Sequence, residues 1–156
     1  MKITISEEIS SKIEEILEEA PVVIAQVAAN YSQDAFRCKA FDRNPWPKNR
    51  DPKRRGKELV RSGKLRKSMT VEVKPDRAVI SYGNDMVGYA QVHNEGFDGE
   101  VTVPAHTRQT RHGAVPVREH TRHAHIPQRQ FLGEAQELDE LLTEEIDAMV
   151  NEILNR

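Results

Sequence analysis

The chain has 156 residues, 37% of them hydrophobic and 31% charged, with a formal net charge of −2. That length suits one domain, which buries roughly 70% of the surface its unfolded chain would expose and needs neither disulfide nor metal to fold. One cysteine, Cys38, excludes an intrachain disulfide, no apolar run approaches the ~20 residues of a membrane span, and the start MKITISEEIS is not a signal peptide, so a protein made and kept inside a cell is expected.

The charge is unevenly spread. Residues 1–34 carry seven acids against two bases, a net of −5. Residues 37–67 carry thirteen bases against three acids, a net of +10, and residues 131–156 eight acids against one base, a net of −7. Either the acidic ends lie against the basic segment, or the basic segment faces a partner.

Ser6 can cap a helix whose first turn holds Glu7 and Glu8, where the helix dipole favours anions. Ile9, Ile13, Ile16, Leu17 and Ala20 then recur at helical spacing. Pro21 either kinks this helix or opens a second one. Val23, Val27, Ala28, Tyr31, Ala35 and Phe36 carry the apolar stripe to about residue 37. Cys38 falls at the helix end, and no nucleophile signature surrounds it.

Residues 42–57 hold three prolines, two asparagines and seven bases and read as a loop, with Trp46 anchoring it to the core from between Pro45 and Pro47. Segment 57–68 forms a short helix or turn with Leu59 and Leu65 inward. Met69, Val71 and Val73 alternate with polar residues, Pro75-Asp76 turns the chain, and a second strand through Val79 and Ile80 ends near Tyr82, making a β-hairpin. Gly83-Asn84-Asp85 is a turn, and segment 87–94 is helical or extended. Gly96 and Gly99 bracket a further turn.

Val101 and Val103 open a strand expected to pair with Val115 and Val117. Residues 104–130 hold five of the six histidines, five arginines and one acid, and read as a long exposed loop or projecting hairpin. Such loops are usually functional or disordered. After Pro127 a last helix places Phe131, Ala135, Leu138, Leu142, Met149 and Ile153 on one face and acids on the other. The expected fold is α+β: an antiparallel sheet packed with long N-terminal and C-terminal helices, with long basic loops. It forms a single domain over 1–156, from which a His- and Arg-rich loop at 104–125 projects.

Chemistry is sparse in this pattern. His120, His123 and His125 lie close together, but no cysteine is near and Glu119 is the only carboxylate among them, so no metal site is assigned. No H-E-x-x-H, Walker loop, G-x-S-x-G or spaced carboxylate pair is present, so no catalytic residue and no cofactor is assigned. Segment 48–67 and the arginines of 108–129 can neutralise phosphates, yet aromatic interleaving is limited to Trp46 and Phe97. Sequence-independent nucleic-acid binding is therefore the alternative function.

Four elements occur in order over about 90 residues. They are Trp46 between two prolines, LVRSGKLRKS at 59–68, YAQVHNEG at 89–96 and IPQRQFLG at 126–133. Together they resemble the phage virion morphogenesis family, which includes tail-completion proteins of contractile-tailed phages; the stretch at 104–125 departs from the family pattern. The resemblance implies a structural, non-enzymatic protein of a phage or prophage. It would finish the tail so that it joins the head, in the virion and in the host cytoplasm during assembly. The implied partners are other tail or neck proteins, copies of itself in a ring and transiently DNA, but no membrane. Trp46, Gly63, Leu65, Tyr89, His93, Gly96, Arg129 and Phe131 carry the motifs in structural roles. Gly63 lets the chain turn, Tyr89 and His93 would stack on one helix face, and Arg129 ties its loop to the core. Arg54, Arg55, Arg108, Arg111, Arg118 and Arg122 are expected to face an acidic subunit or DNA.

Overall fold

In the computed structural model, residues 6–54 and 56–156 are described. Ser6 caps the first helix as expected, its Oγ accepting the Ile9 N–H at 3.3 Å. This helix, α1, runs over Glu7–Cys38 for 32 residues without a break at Pro21, so one helix stands where the sequence left two open. It stops at Lys39, which adopts the left-handed region with φ 57°. Asp42 and Arg43 follow with φ 48° and 62°, the two left-handed positions of a tight hairpin turn. That turn joins β1 (Ala40–Phe41) to β2 (Asn44–Pro45).

The last helix, α4 (Gln136–Leu154), packs antiparallel against α1. Its end meets the start of α1, where Lys12 Nζ donates to the Leu154 carbonyl at 3.1 Å and Arg156 reaches Glu15 at 2.8 Å. Its start meets the C-terminal part of α1, where the Tyr31 hydroxyl donates to Glu137 at 3.1 Å. Burial, partly offset by the Asp42 N–H it accepts, pushes the Tyr31 hydroxyl up to about 12, so it stays a donor. The α4 N-cap, Ala135, has no side chain to offer. Asp42 supplies the cap from the hairpin turn, accepting the Glu137 N–H at 3.1 Å.

The core sits beside the C-terminal half of α1. Phe36 and Phe131, each 1% exposed, meet at 5.0 Å, with the Trp46 ring edge-on to Phe36 at 5.6 Å and Tyr82 edge-on to Phe131 at 4.9 Å. Phe41, Leu65, Val87, Ala90 and Ala135 close around them. Ser32, inside α1, donates to the Phe131 carbonyl at 2.5 Å, so the aromatic cluster is also fixed by a buried hydrogen bond.

The expected hairpin forms as β3 (Met69–Lys74) and β4 (Arg77–Tyr82), turning at Pro75-Asp76. Segment 87–94 resolves as a short helix, α3 (Ala90–Glu95). Gly96, with φ 79°, turns the chain out of it, whereas Gly99 lies inside a strand opposite Ala124 and is not part of a turn. Segment 57–68 gives a one-turn helix, α2 (Lys64–Lys67), with Leu65 buried and Leu59 half-buried.

Residues 97–126 form a long two-stranded arm. Strand β5 (Phe97–Val103) pairs with β8 (His120–Ile126), and β6 (His106–Thr110) with β7 (Gly113–Val117). The predicted pairing of Val101 and Val103 with Val115 and Val117 is therefore wrong. Val101 faces Arg122 and Val103 faces His120, while Val115 faces Arg108 and Val117 faces His106. The cause is the turn. Arg111-His112 closes the tip, with Gly113 at φ 116°, and the register set there continues through both ladders. The stretch expected as a loop or projecting hairpin is thus the hairpin.

The fold is α+β with long helices at both ends, and among the described residues the antiparallel strands divide into four two-stranded ladders. The arm lies outside the core, so the two long helices pack on each other and α1 also packs on β3–β4, not on every strand. No helix among the described residues is long and apolar enough to cross a membrane.

Candidate partner-binding cleft

The motif segments converge. Leu65 from the second element, Tyr89 and His93 from the third and Arg129 from the fourth line one cleft of about 560 Å³. The basic segment supplies its outer wall with Asn49, Lys53, Arg54, Lys57, Arg61 and Ser62, and Leu59 joins Leu65 as its apolar part.

Arg129 is the bolt of this region. Its residue is 6% exposed. Its backbone N–H donates to the His93 carbonyl at the end of α3 (2.9 Å), its Nε to the Pro47 carbonyl (3.0 Å) and its Nη2 to Asn49 (3.4 Å). It therefore ties the loop to α3 as well as to the core. Trp46 secures the same loop from within, its Nε1 donating to the Gln130 carbonyl at 2.6 Å.

Glu58 is 4% exposed and was missed by sequence reasoning. Burial pushes its carboxyl up, but its own N–H, the N–H groups of Asn49 and Gly56 and the charge of Arg129 outweigh this and hold it below the usual range. The one signal was its isolation: no other acid lies between Asp51 and Glu72. Asn94 was also missed. Its side chain accepts the N–H groups of Phe131 and Leu132 (2.9 and 3.0 Å) and donates to the Leu132 carbonyl (3.0 Å), which sets the entry to α4.

Tyr89 and His93 meet edge to face, with rings 5.6 Å apart at 86°, and not stacked face to face. Burial, then the nearby Arg129, pull the His93 imidazole down, so it is neutral near pH 7. Its Nδ1 is buried without a hydrogen-bond partner. Among the described residues the cleft is walled by Lys53, Arg54, Lys57, Arg61 and Arg129, with no carboxylate lining it.

The remaining motif residues are structural. Gly63 precedes α2 in the left-handed region at φ 69°. A Cβ on Gly96 would stand 3.0 Å from the Gln128 nitrogen, so only glycine allows that approach. Phe131 is at the centre of the core.

The expected partner-facing arginines separate. Arg54 lines the cleft, and Arg55 lies outside the described residues. Arg108, Arg111, Arg118 and Arg122 are exposed on the arm and none lines the cleft. On one face of the arm, Asp98 meets His123 Nε2 at 3.0 Å and His125 Nδ1 at 2.5 Å. The His125 hydrogen bond first, then the charges of the two histidines, hold its carboxyl low. His120 is on the opposite face, level with Val103, so the three neighbouring histidines do not converge. Among the described residues no group of three or more His, Cys, Asp or Glu is placed to hold a metal.

A model of the phage virion morphogenesis family matches residues 21–151, which take in all four motif elements, the cleft and the arm. No curated protein and no solved structure matches the chain.

Proposed function

Since the chain belongs to the phage virion morphogenesis family, and so to virion assembly, we propose that it is a non-catalytic structural protein of tail completion, joining tail to head through protein contacts. The observation that carries this reading is the family match over residues 21–151. What supports the non-catalytic part is where the motif residues go: Trp46, Leu65, Arg129 and Phe131 are all buried, and Trp46 and Arg129 spend side-chain donors on backbone carbonyls. The partners are other tail or neck proteins and further copies of the chain, met in the virion and in the host cytoplasm during assembly.

The test is deletion of the gene in the parent phage or prophage. The expected result is filled heads and separate tails that do not join, restored by the wild-type gene in trans. Joined, infectious particles from the deletion would sink the proposal. A second reading, sequence-independent nucleic-acid binding, is favoured by the exposed Arg108, Arg111, Arg118 and Arg122 on the arm. It expects duplex affinity that falls steeply with salt and is lost when these four are replaced by serine.

A further inference from the structure

The sequence left two fates for its segregated charge, and the fold does not bring the charges together. Apart from the Arg37–Asp34 pair within α1, the one ion pair among the described residues that joins the basic segment to an acidic end is Arg43–Glu140, at 2.5 Å. Among the described residues Lys57, Arg61 and Arg129 form no ion pair in the cleft, although the charge of the buried Glu58 acts on Arg129 from beneath. On the other side, Glu140, Glu144 and Asp147 recur at i, i+4 and i+7, which puts them on one face of α4. That face is opposite the buried Met149 and Ile153, and Glu144 and Asp147 are exposed without an ion pair among the described residues. Leu141, 38% exposed, flanks this ridge.

We propose that the cationic cleft receives the Glu144–Asp147 ridge of α4 from a second copy of the chain. The two surfaces match in kind. The cleft sets cations around an apolar part made by Leu59 and Leu65, and the ridge sets carboxylates beside Leu141. They also match in size. A helix about 10–12 Å across does not enter 560 Å³, but carboxylate side chains one turn apart, roughly 5–6 Å, reach in from its surface. Duplex DNA fits less well, because its phosphates lie on a convex backbone and leave the apolar part of the cleft unused. Because the two surfaces are different patches of the same chain, the contact is head-to-tail, and a joined pair keeps one cleft and one ridge free for the next copies. This deepens the assembly reading above and rests on it for its purpose, but not for its geometry.

The test uses the purified full chain and its mass in solution over a wide concentration range. Wild-type protein is expected to self-associate with rising concentration at low salt and to dissociate as salt rises. A cleft variant, Lys57→Glu with Arg61→Glu, and a ridge variant, Glu144→Lys with Asp147→Lys, each lose at least ~30-fold in association. Mixing the two variants restores association, since the first keeps its ridge, the second keeps its cleft, and the two reversed surfaces are again opposite in charge. All changed residues are at the surface, and matched thermal melting confirms that both variants fold. A wild-type chain that stays monomeric, variants that associate like wild type, or a mixture that does not associate overturns the proposal. So does a monomer that binds duplex DNA through Lys57 and Arg61, which makes the cleft a phosphate site. Failure here together with unjoined heads and tails in the deletion phage leaves the assembly role standing and removes only this contact.

Discussion

Two arginine-bearing regions of this chain, one with ten bases against two acids at 48–67 and one with four against three at 97–126, have opposite construction. The segment at 48–67 is irregular, yet its course is fixed from beneath by Trp46, Arg129 and Glu58, each spending polar groups on backbone atoms. The arm at 97–126 is regular, yet its ladders pair only with each other and leave Arg108, Arg111, Arg118 and Arg122 in solvent. Regular secondary structure and rigidity of position are therefore separate properties. The loop presents its cations at defined points because the core holds it. The arm presents its own on a ribbon whose strands pair only with one another.

The contrast can be broken most forcefully in the core. Phe131→Ala removes a ring that touches Phe36 and Tyr82 and should cost about 3–5 kcal/mol in urea unfolding. A loss below ~1 kcal/mol would mean that the aromatic cluster does not organise the domain. Arg129→Ala is next. It strips hydrogen bonds from the Pro47 carbonyl and Asn49 and should cost about 2–3 kcal/mol, with amide exchange rising in residues 47–58 and unchanged in the arm.

Smaller effects sharpen the picture. His93 and Glu58 both have folded values below their ordinary ones, so each contributes stability above its unfolded pKa that is lost as pH falls. Stability should fall in two stages, as pH drops below the ordinary histidine range and then through the carboxylate range. His93→Gln should remove the first stage, read from urea midpoints at a series of pH values. The smallest effect belongs to the arm. Replacing Arg108 and Arg111 with serine should leave unfolding within about 0.5 kcal/mol of wild type, while any arm-dependent binding falls. A destabilisation as large as that of Arg129→Ala would erase the distinction between the two regions.

Much of this was legible where the signal was local. The Ser6 cap, the β3–β4 hairpin, the Trp46 anchor and the Leu138–Ile153 face of α4 follow from spacing and turn residues within a few positions. That helix starts at Gln136 and not after Pro127, however, so Phe131 and Ala135 precede it. The pairing of Val101 and Val103 was not, because apolar matching offered Val115 and Val117 while the Arg111–Gly113 turn decided the register. The cleft was half legible. Its motif residues stood out, but their convergence depends on backbone bonds, such as that from Arg129 to His93, which carry no side-chain signature. Glu58 and Asn94 escaped for the same reason, since their partners are backbone groups.

The clasp between Lys12 and Leu154, and between Glu15 and Arg156, joins residues more than a hundred positions apart. Its consequence is temporal. The arm closes through a two-residue turn and can form as soon as it is made, whereas α1 has no α4 to lie against until synthesis reaches the last helix. During that interval the face of α1 that α4 covers is open to the cell, so a nascent chain is at greatest risk of wrong association until α4 is made.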